Sequence, residues 1–410
     1  MKKLFLYLMT GLLALPAFWS CDDAVNPALS NSIYFQEATK RDEFDCLIKP
    51  MRETTYNVQV KMTHKVDHDV KLNIIVDREL LAKHFEEFGE DLPILPTDNW
   101  VLYDTEGTPH AGERMEVTFP ANQTVAVLPI KILPVENAEE SQYALPLTIQ
   151  SVSENIQVLE KLQSQLFVFQ APFETDAFFW DAYNSGRDNG GTMQGRFPAL
   201  STSAWTLEFH YHVERRQDNG EYYGIPMVWL GPSEIYVRYY QKGGMDIHIM
   251  GTFGPASYNL ANAAGKPADY FTNSAYEGQW DHFALVCERG IITSYINGQQ
   301  MASTSSAQFD TDFNLQYINI GGTSTEKKVA FSEVRLWSVA RTQAQLTRFK
   351  YNVDPNAKGL EVYYKMNDCS EEVIKDSSPN GCDIDMSEFR DHHWGRVKTN
   401  DDFTSFVTVK

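Results

Sequence analysis

Residues 280–298 read WDHFALVCERGIITSYING. Trp280–Cys287 and Gly290–Ile296 are apolar-rich runs of strand length. Asn297-Gly298 after them is a tight-turn signal, because both residues tolerate the positive φ that a two-residue hairpin loop requires. The stretch predicts antiparallel β-structure, and the chain on both sides agrees. Upstream, Ala204–Val213 (AWTLEFHYHV) alternates with period two. Met227–Leu230, a turn at Gly231-Pro232, Ile235–Gln241, a turn at Gly243-Gly244 and Met245–Met250 then read as successive hairpins. Downstream, Tyr317–Ile320, Ala330–Ser338 and Leu360–Asn367 continue the pattern, with one short helix expected at Thr342–Lys350. Ala171-Pro172 marks the start of this region, which covers 173–410.

Residues 32–170 form a separate strand-rich region. Ser32–Gln36, Tyr56–Met62 and Val70–Asp77 open it. Asp77 is placed to cap a helix over Arg78–Phe88, and Leu92–Pro96 ends that helix because proline cannot continue it. Met115–Phe119, Thr124–Ile132 and Leu145–Ser151 resume the strands, at a spacing that suggests a sandwich.

The chain has 410 residues and a formal net charge of −20, which argues against nucleic acid as a partner, since phosphate needs clustered Lys and Arg. The eight Trp and 20 Tyr belong in part to β cores, and any excess can supply stacking platforms for sugars. Met1-Lys2-Lys3, the apolar run Leu4–Phe18 and Ser20-Cys21 read as a secretory signal over residues 1–20. Residues 21–31 then form Cys21 and a polar tether. Cys21 resembles a lipoprotein processing site, although Phe18 and Trp19 replace the usual Leu and small residue; the alternative is a plain signal peptide cleaved nearby. Asp22-Asp23 resembles the surface-export signal of Bacteroidetes lipoproteins. Cys369 and Cys382 flank a loop-like stretch and could pair in an oxidising compartment, while Cys46 and Cys287 sit among apolar neighbours as buried thiols.

Two resemblances follow from these motifs. Leu92-Pro93, Val117–Ile132 (VTFPANQTVAVLPIKI) and Tyr143–Ser153 occur in the order found in an immunoglobulin-like N-terminal domain of unknown function from Bacteroidetes surface lipoproteins. Gly278–Val286, Tyr295–Gly298, Ile320–Gly322, Val334–Ser338, Ala340–Gln343, Gly359–Asn367 and Asp376–Ser378 resemble, in order, the laminin-G-like, concanavalin A-like jelly rolls. The implied architecture is all-β: an immunoglobulin-like sandwich followed by a jelly-roll sandwich. The implied role is a non-catalytic, lipid-anchored outer-membrane protein facing the cell exterior, which captures glycan beside a nutrient transporter. An adhesion or protein-interaction module is the alternative, and a glycoside hydrolase with an unfamiliar site the third reading. No strand carries the Glu-x-Asp-x-(x)-Glu pattern that jelly-roll glycosidases place in their cleft, and Gly-x-Ser-x-Gly and His-Glu-x-x-His are absent.

Alternation assigns candidate ligand contacts. Glu208, His210 and His212 share the face of Ala204–Val213 opposite Leu207, Phe209 and Tyr211. Tyr236, Arg238 and Tyr240, with Asp246 and His248, point the same way if these strands are neighbours, and Trp229 stands near a hairpin end. Aromatic rings and charged planar groups in that mixture suit a sugar; a solvated sheet face has the same look. The laminin-G resemblance also brings calcium, for which Asp181, Asn184, Asp188 and Asn189 in the loop-like stretch WDAYNSGRDNGG offer oxygen ligands. Trp205, Trp280, His282 and Trp337 read as core packing.

Overall fold

A computed structural model of the chain describes residues 31–40, 43–47, 53–88, 92–134, 142–153, 156–170, 172–180, 193–213, 227–233, 235–239, 245–249, 256–259, 280–305, 309–321, 329–367, 369–387, 389, 392–400 and 405–409. The signal segment, Cys21 and the tether up to residue 30 lie outside these residues.

The first region holds β1 (Ser32–Phe35), β2 (Glu43–Leu47), β3 (Thr54–Met62), β4 (Val70–Val76), α1 (Arg78–Phe88), β5 (Trp100–Tyr103), β6 (Pro109–His110), β7 (Arg114–Phe119), β8 (Val125–Ile132), β9 (Tyr143–Val152), β10 (Gln157–Val158) and β11 (Ser164–Gln170). Its strands form two sheets, in the orders β10-β1-β3-β8-β5-β6 and β2-β11-β9-β4-β7. They pack face to face as an immunoglobulin-like sandwich. Alternation drives this: Val58, Val60 and Met62 of β3 and Val70, Leu72 and Ile74 of β4 enter one core with Phe119, Leu128 and Phe167. Asp77 caps α1 by accepting from the Glu79 N–H at 3.1 Å, and its other oxygen accepts from the Thr148 hydroxyl at 2.9 Å.

The second region holds β12 (Glu174–Trp180), β13 (Met193–Thr202), β14 (Ala204–Val213), β15 (Met227–Pro232), β16 (Ile235–Tyr239), β17 (Met245–Ile249), β18 (Ala256–Asn259), β19 (Trp280–Glu288), β20 (Ile291–Ile296), β21 (Gln299–Ser305), β22 (Phe313–Gly321), β23 (Val329–Trp337), α2 (Gln343–Arg348), β24 (Leu360–Tyr364), β25 (Val373–Ile374), β26 (Ile384–Asp385), β27 (His392–Thr399) and β28 (Phe406–Thr408). A nine-stranded sheet runs β21-β20-β19-β14-β23-β12-β27-β28 with β24 on β23, and a six-stranded sheet runs β13-β22-β15-β16-β17-β18. Between them lies one core, with Trp205, Leu207, Phe209, Phe283 and Phe331 from the larger sheet and Val228, Leu230, Ile235, Leu315 and Ile318 from the smaller. This is the jelly roll. Asn297 (φ 52°) and Gly298 (φ 76°) close the β20–β21 hairpin with both residues in the left-handed region, as a type I′ turn demands.

The helix α2 opens on a capping box, in which the Thr342 hydroxyl accepts from the Gln345 N–H and the Gln345 side chain accepts from the Thr342 N–H. At its other end Arg348 reaches the first region: Nε lies 3.2 Å from Glu43, one Nη lies 3.4 Å from Asp45, and the other donates to the Gln142 amide oxygen at 2.7 Å. Phe349 meets Phe88 of α1 edge-on at 6.1 Å.

The expected Cys369–Cys382 disulfide is not formed: Cys382 is a buried free thiol, pushed up to about 12 by burial and by nearby Asp376. Hydrogen bonds organise that loop instead. The Asp376 carboxylate accepts from the backbone N–H of Tyr363 (2.8 Å), Ser378 (2.9 Å) and Cys382 (2.8 Å). Cys287 is likewise a buried thiol, pushed up to about 12 by desolvation.

Candidate functional site

The nine residues singled out on strands do not share one face. Glu208, His210 and His212 lie on β14 in the nine-stranded sheet, whereas Trp229 and Tyr236 lie on β15 and β16 in the six-stranded sheet. The strands β14 and β16, separated in sequence by β15, belong to opposite layers of the sandwich. Arg238 and Asp246 are register partners, as are Tyr236 and His248. The side chains of Arg238, Asp246 and His248, and the whole of Tyr240, fall outside the described residues, as does the 181–191 stretch proposed for calcium.

Glu208 and His210 are buried and committed to structure. A bulge in β23 begins this arrangement. Glu333 has φ 53°, and the register against β14 shifts between Glu208–Arg335 and His210–Ser332. The extra residue turns Glu333 to the same side as Arg335, while Phe331, Val334 and Leu336 stay in the core. The Arg335 guanidinium pairs with Glu333 at 2.5 Å and donates to the Phe349 carbonyl at 2.8 Å. Tyr363 adds a short hydrogen bond to Glu333. Glu208 accepts from Arg341 (2.7 Å), the Trp337 indole (2.6 Å) and His282 Nε2 (3.1 Å). Burial alone would raise the Glu208 pKa, but Arg341, His282 and Arg335 hold it well below the usual carboxylate range. His210 donates Nε2–H to the Lys350 carbonyl at 2.7 Å and stacks on Tyr351 at 5.4 Å; burial keeps its pKa well below the ordinary value. His212 is half-buried beside Trp280, with ring centres 5.5 Å apart.

The segment from Ser338 to Tyr351 is what roofs this face. The Thr206 hydroxyl donates to the Val339 carbonyl at 2.8 Å and accepts from the Arg341 N–H at 2.9 Å. The expectation that Glu208 and His210 contact a ligand is therefore corrected: outward-pointing polar residues of β14 are here the underside of a covering segment, not a solvated surface.

The outer face of the six-stranded sheet is built differently. Directly paired residues lie on the same side, so two ranks cross it. One runs Gln194, Asn319, Trp229, Tyr236 and the other Arg196, Tyr317, Gly231. Their neighbours Val228, Leu230, Ile235, Val237, Leu315 and Ile318 point into the core. Trp229 and Tyr236 lie 4.6 Å apart at 34°, and Tyr317 meets Trp229 at 6.2 Å and 67°. Tyr317 occupies a place made for it. A Cβ on Gly231 would come within 2.1 Å of the Tyr317 ring, so the absent side chain lets the ring lie over the backbone of β15. Both of its ladders break there: β13 loses register between Arg196 and Leu200, and β15 between Gly231 and Pro232. Such bulges re-aim side chains. The Gln194 amide donates to the Asn319 amide oxygen at 3.0 Å, which orients both and leaves the Gln194 oxygen as an acceptor and the Asn319 NH2 as a donor group not used by that bond. Three half-buried aromatic rings next to fixed amides can stack on the apolar faces of a pyranose and pair with its hydroxyls.

Tyr317, Arg196, Gln194 and Asn319 were not singled out in the sequence. The alternation Met193-Gln194-Gly195-Arg196-Phe197 carried the signal for β13, but Pro198 inside the strand masks it.

Residues 29–156 match a family model described as an N-terminal domain, and residues 186–347 match the model of the concanavalin A-like lectin/glucanases superfamily. No curated protein matches the chain. Among solved structures, a candidate carbohydrate binding protein from Bacteroides ovatus is similar at 18% identity and a TM-score of 0.45, over 92% of this chain and 99% of that one. EndoBT-3987 of Bacteroides thetaiotamicron, solved with Man5GlcNAc product, matches at 19% and 0.27 over 40% of this chain and 34% of its own. A heptameric SAP-like pentraxin from Limulus polyphemus matches at 12% and 0.33 over 48% and 90%. Identities and scores this low say nothing about a ligand. Fold and family matches together define the class: a concanavalin A-like jelly roll preceded by an immunoglobulin-like domain.

Proposed function

We propose that this chain is a non-catalytic glycan-binding protein that holds its ligand on the outer face of the six-stranded sheet. The observation that carries this reading is Tyr317 lying over Gly231 beside the Trp229–Tyr236 pair, an aromatic platform that two bulges and an obligatory glycine keep in place. The match to lectins and glucanases of the same fold supports it. Glu208, the candidate carboxylate on β14, is sealed in ion pairs and unavailable for proton transfer, which removes it as a catalytic acid or base.

In the wider reading, Cys21 carries a lipid that anchors the chain in the outer membrane, facing outward. The immunoglobulin-like domain spaces the jelly roll from the membrane, and the captured glycan passes to a nutrient-uptake system. The test is a glycan array on soluble protein starting at Asp22, with and without calcium, followed by titration and recovery of the glycan. Saturable binding with the glycan recovered uncut is expected. Recovery of shortened glycan would revive the hydrolase reading. No binding in either condition would favour a protein partner. Metabolic labelling with a fatty acid, lost in Cys21→Ala, checks the anchor.

A further inference from the structure

We propose that the bound glycan carries a carboxylate and that Arg196 reads it. This rests on the glycan-binding reading above and names the class of sugar for the same face.

Arg196 is exposed on β13, directly opposite Tyr317, with its guanidinium carbon 5.7 Å from the centre of that ring. Arg78, Arg335, Arg341, Arg348 and Arg396 each have a carboxylate within 4 Å. Arg196 has none among the described residues, in a chain whose 55 acidic residues outnumber its 35 basic ones. Arg114 and Arg289 share that lack, but among the described residues neither sits over an aromatic ring, and both lie away from this face, on β7 and in the β19–β20 turn.

Stacking a guanidinium on a ring holds its plane while leaving its in-plane N–H groups free. Those groups form the fork that matches a carboxylate bidentately. The position is pinned on the backbone as well. Arg196 is the last residue of β13 in register with β22 before the bulge, and Gln194 on the same face is tied to Asn319. With strands about 4.8 Å apart, Arg196 on β13 stands about 10 Å across the sheet from Trp229 on β15. A sugar ring on the Tyr317–Trp229 platform therefore meets, at its β13 edge, a cation with no carboxylate partner among the described residues, with the neutral Gln194 and Asn319 amides in the next rank. The chain's overall negative charge does not cancel this, since at physiological salt its field fades beyond about 8 Å.

The experiment is a glycan array with neutral, sulfated, uronic-acid-bearing and sialylated oligosaccharides. The best hit is then titrated before and after chemical reduction of its carboxyl groups, against the intact protein, R196Q and W229A. The expected result is a carboxylated hit whose affinity falls at least about tenfold on carboxyl reduction. R196Q should lose the same factor for the acidic form and change little for the reduced form. The acidic form's affinity should also weaken with added salt in the intact protein but not in R196Q. W229A should lose both forms. Hits confined to neutral or sulfated glycans, or equal affinity of R196Q and the intact protein for the acidic form, would overturn the carboxylate assignment while leaving glycan binding standing. Absence of any glycan hit would remove both.

Discussion

On the nine-stranded sheet, Glu208, His210, Glu333 and Arg335 point outward from the core and are covered by the segment 338–351 together with Tyr363 and Phe406. On the six-stranded sheet, Trp229, Tyr236 and Tyr317 also point outward and remain half-buried, with Arg196 exposed beside them. Both faces mix aromatic with charged or polar side chains. On the first, every charge has a counter-charge and the network fastens a helix that in turn grips the first domain. On the second, the Gln194 and Asn319 amides are tied to each other and Arg196 has no carboxylate partner among the described residues. Composition of a strand face therefore does not reveal its use; the pairing of its charges does.

Breaking the first face should have the largest effect. Glu208→Gln leaves Arg341 and Arg335 buried without part of their counter-charge, and a loss of about 3–5 kcal/mol is expected in chemical denaturation. The glycan affinity of the folded fraction should stay unchanged. A simultaneous loss of affinity would mean the two faces are coupled. Gly231→Ala acts on the second face: its methyl group must displace Tyr317, costing about 1–3 kcal/mol as overpacking and weakening glycan binding, while the Glu208 network is untouched.

The effect of pH is the most gradual. His210 and His282 are held neutral by burial, so their folded pKa values lie below the unfolded value of about 6.5. Below that pH the unfolded chain takes up protons that the folded chain refuses, and stability falls, by at most about 1.4 kcal/mol per pH unit for each histidine. Glu208 adds a second decline. Its folded pKa is depressed, so its stabilisation is complete above about 4.3 and is lost as pH falls further. Thermal melts from pH 7.5 to about 2.5 should show both slopes, and His210→Gln should flatten the upper one. A flat profile in the intact protein would contradict the assigned neutrality.

Much of the fold could be read from local pattern. Ala204–Val213, Trp280 onward, the Asn297-Gly298 turn, α1 with its Asp77 cap and α2 with its Thr342 cap all rest on near-neighbour rules. The candidate site could be read only in part, because three of its determinants are non-local. Which sheet receives β14 depends on pairing with β19 and β23. Burial of Glu208 depends on a segment more than a hundred residues away. Tyr317 is marked by Gly231 and by two bulges, none of which disturbs the alternation of β22 enough to be noticed. Tyr236 is legible because the core-facing neighbours of its strand alternate without a break, and Trp229 because it stands near a hairpin end.

The most direct test of the account is titration of the best glycan hit against the intact protein, W229A and Y317A, with unfolding curves recorded on the same samples. The account predicts a loss of about thirtyfold or more in affinity for each variant, with the jelly roll still folded. Affinity unchanged in both folded variants would contradict it and place the ligand away from the six-stranded sheet.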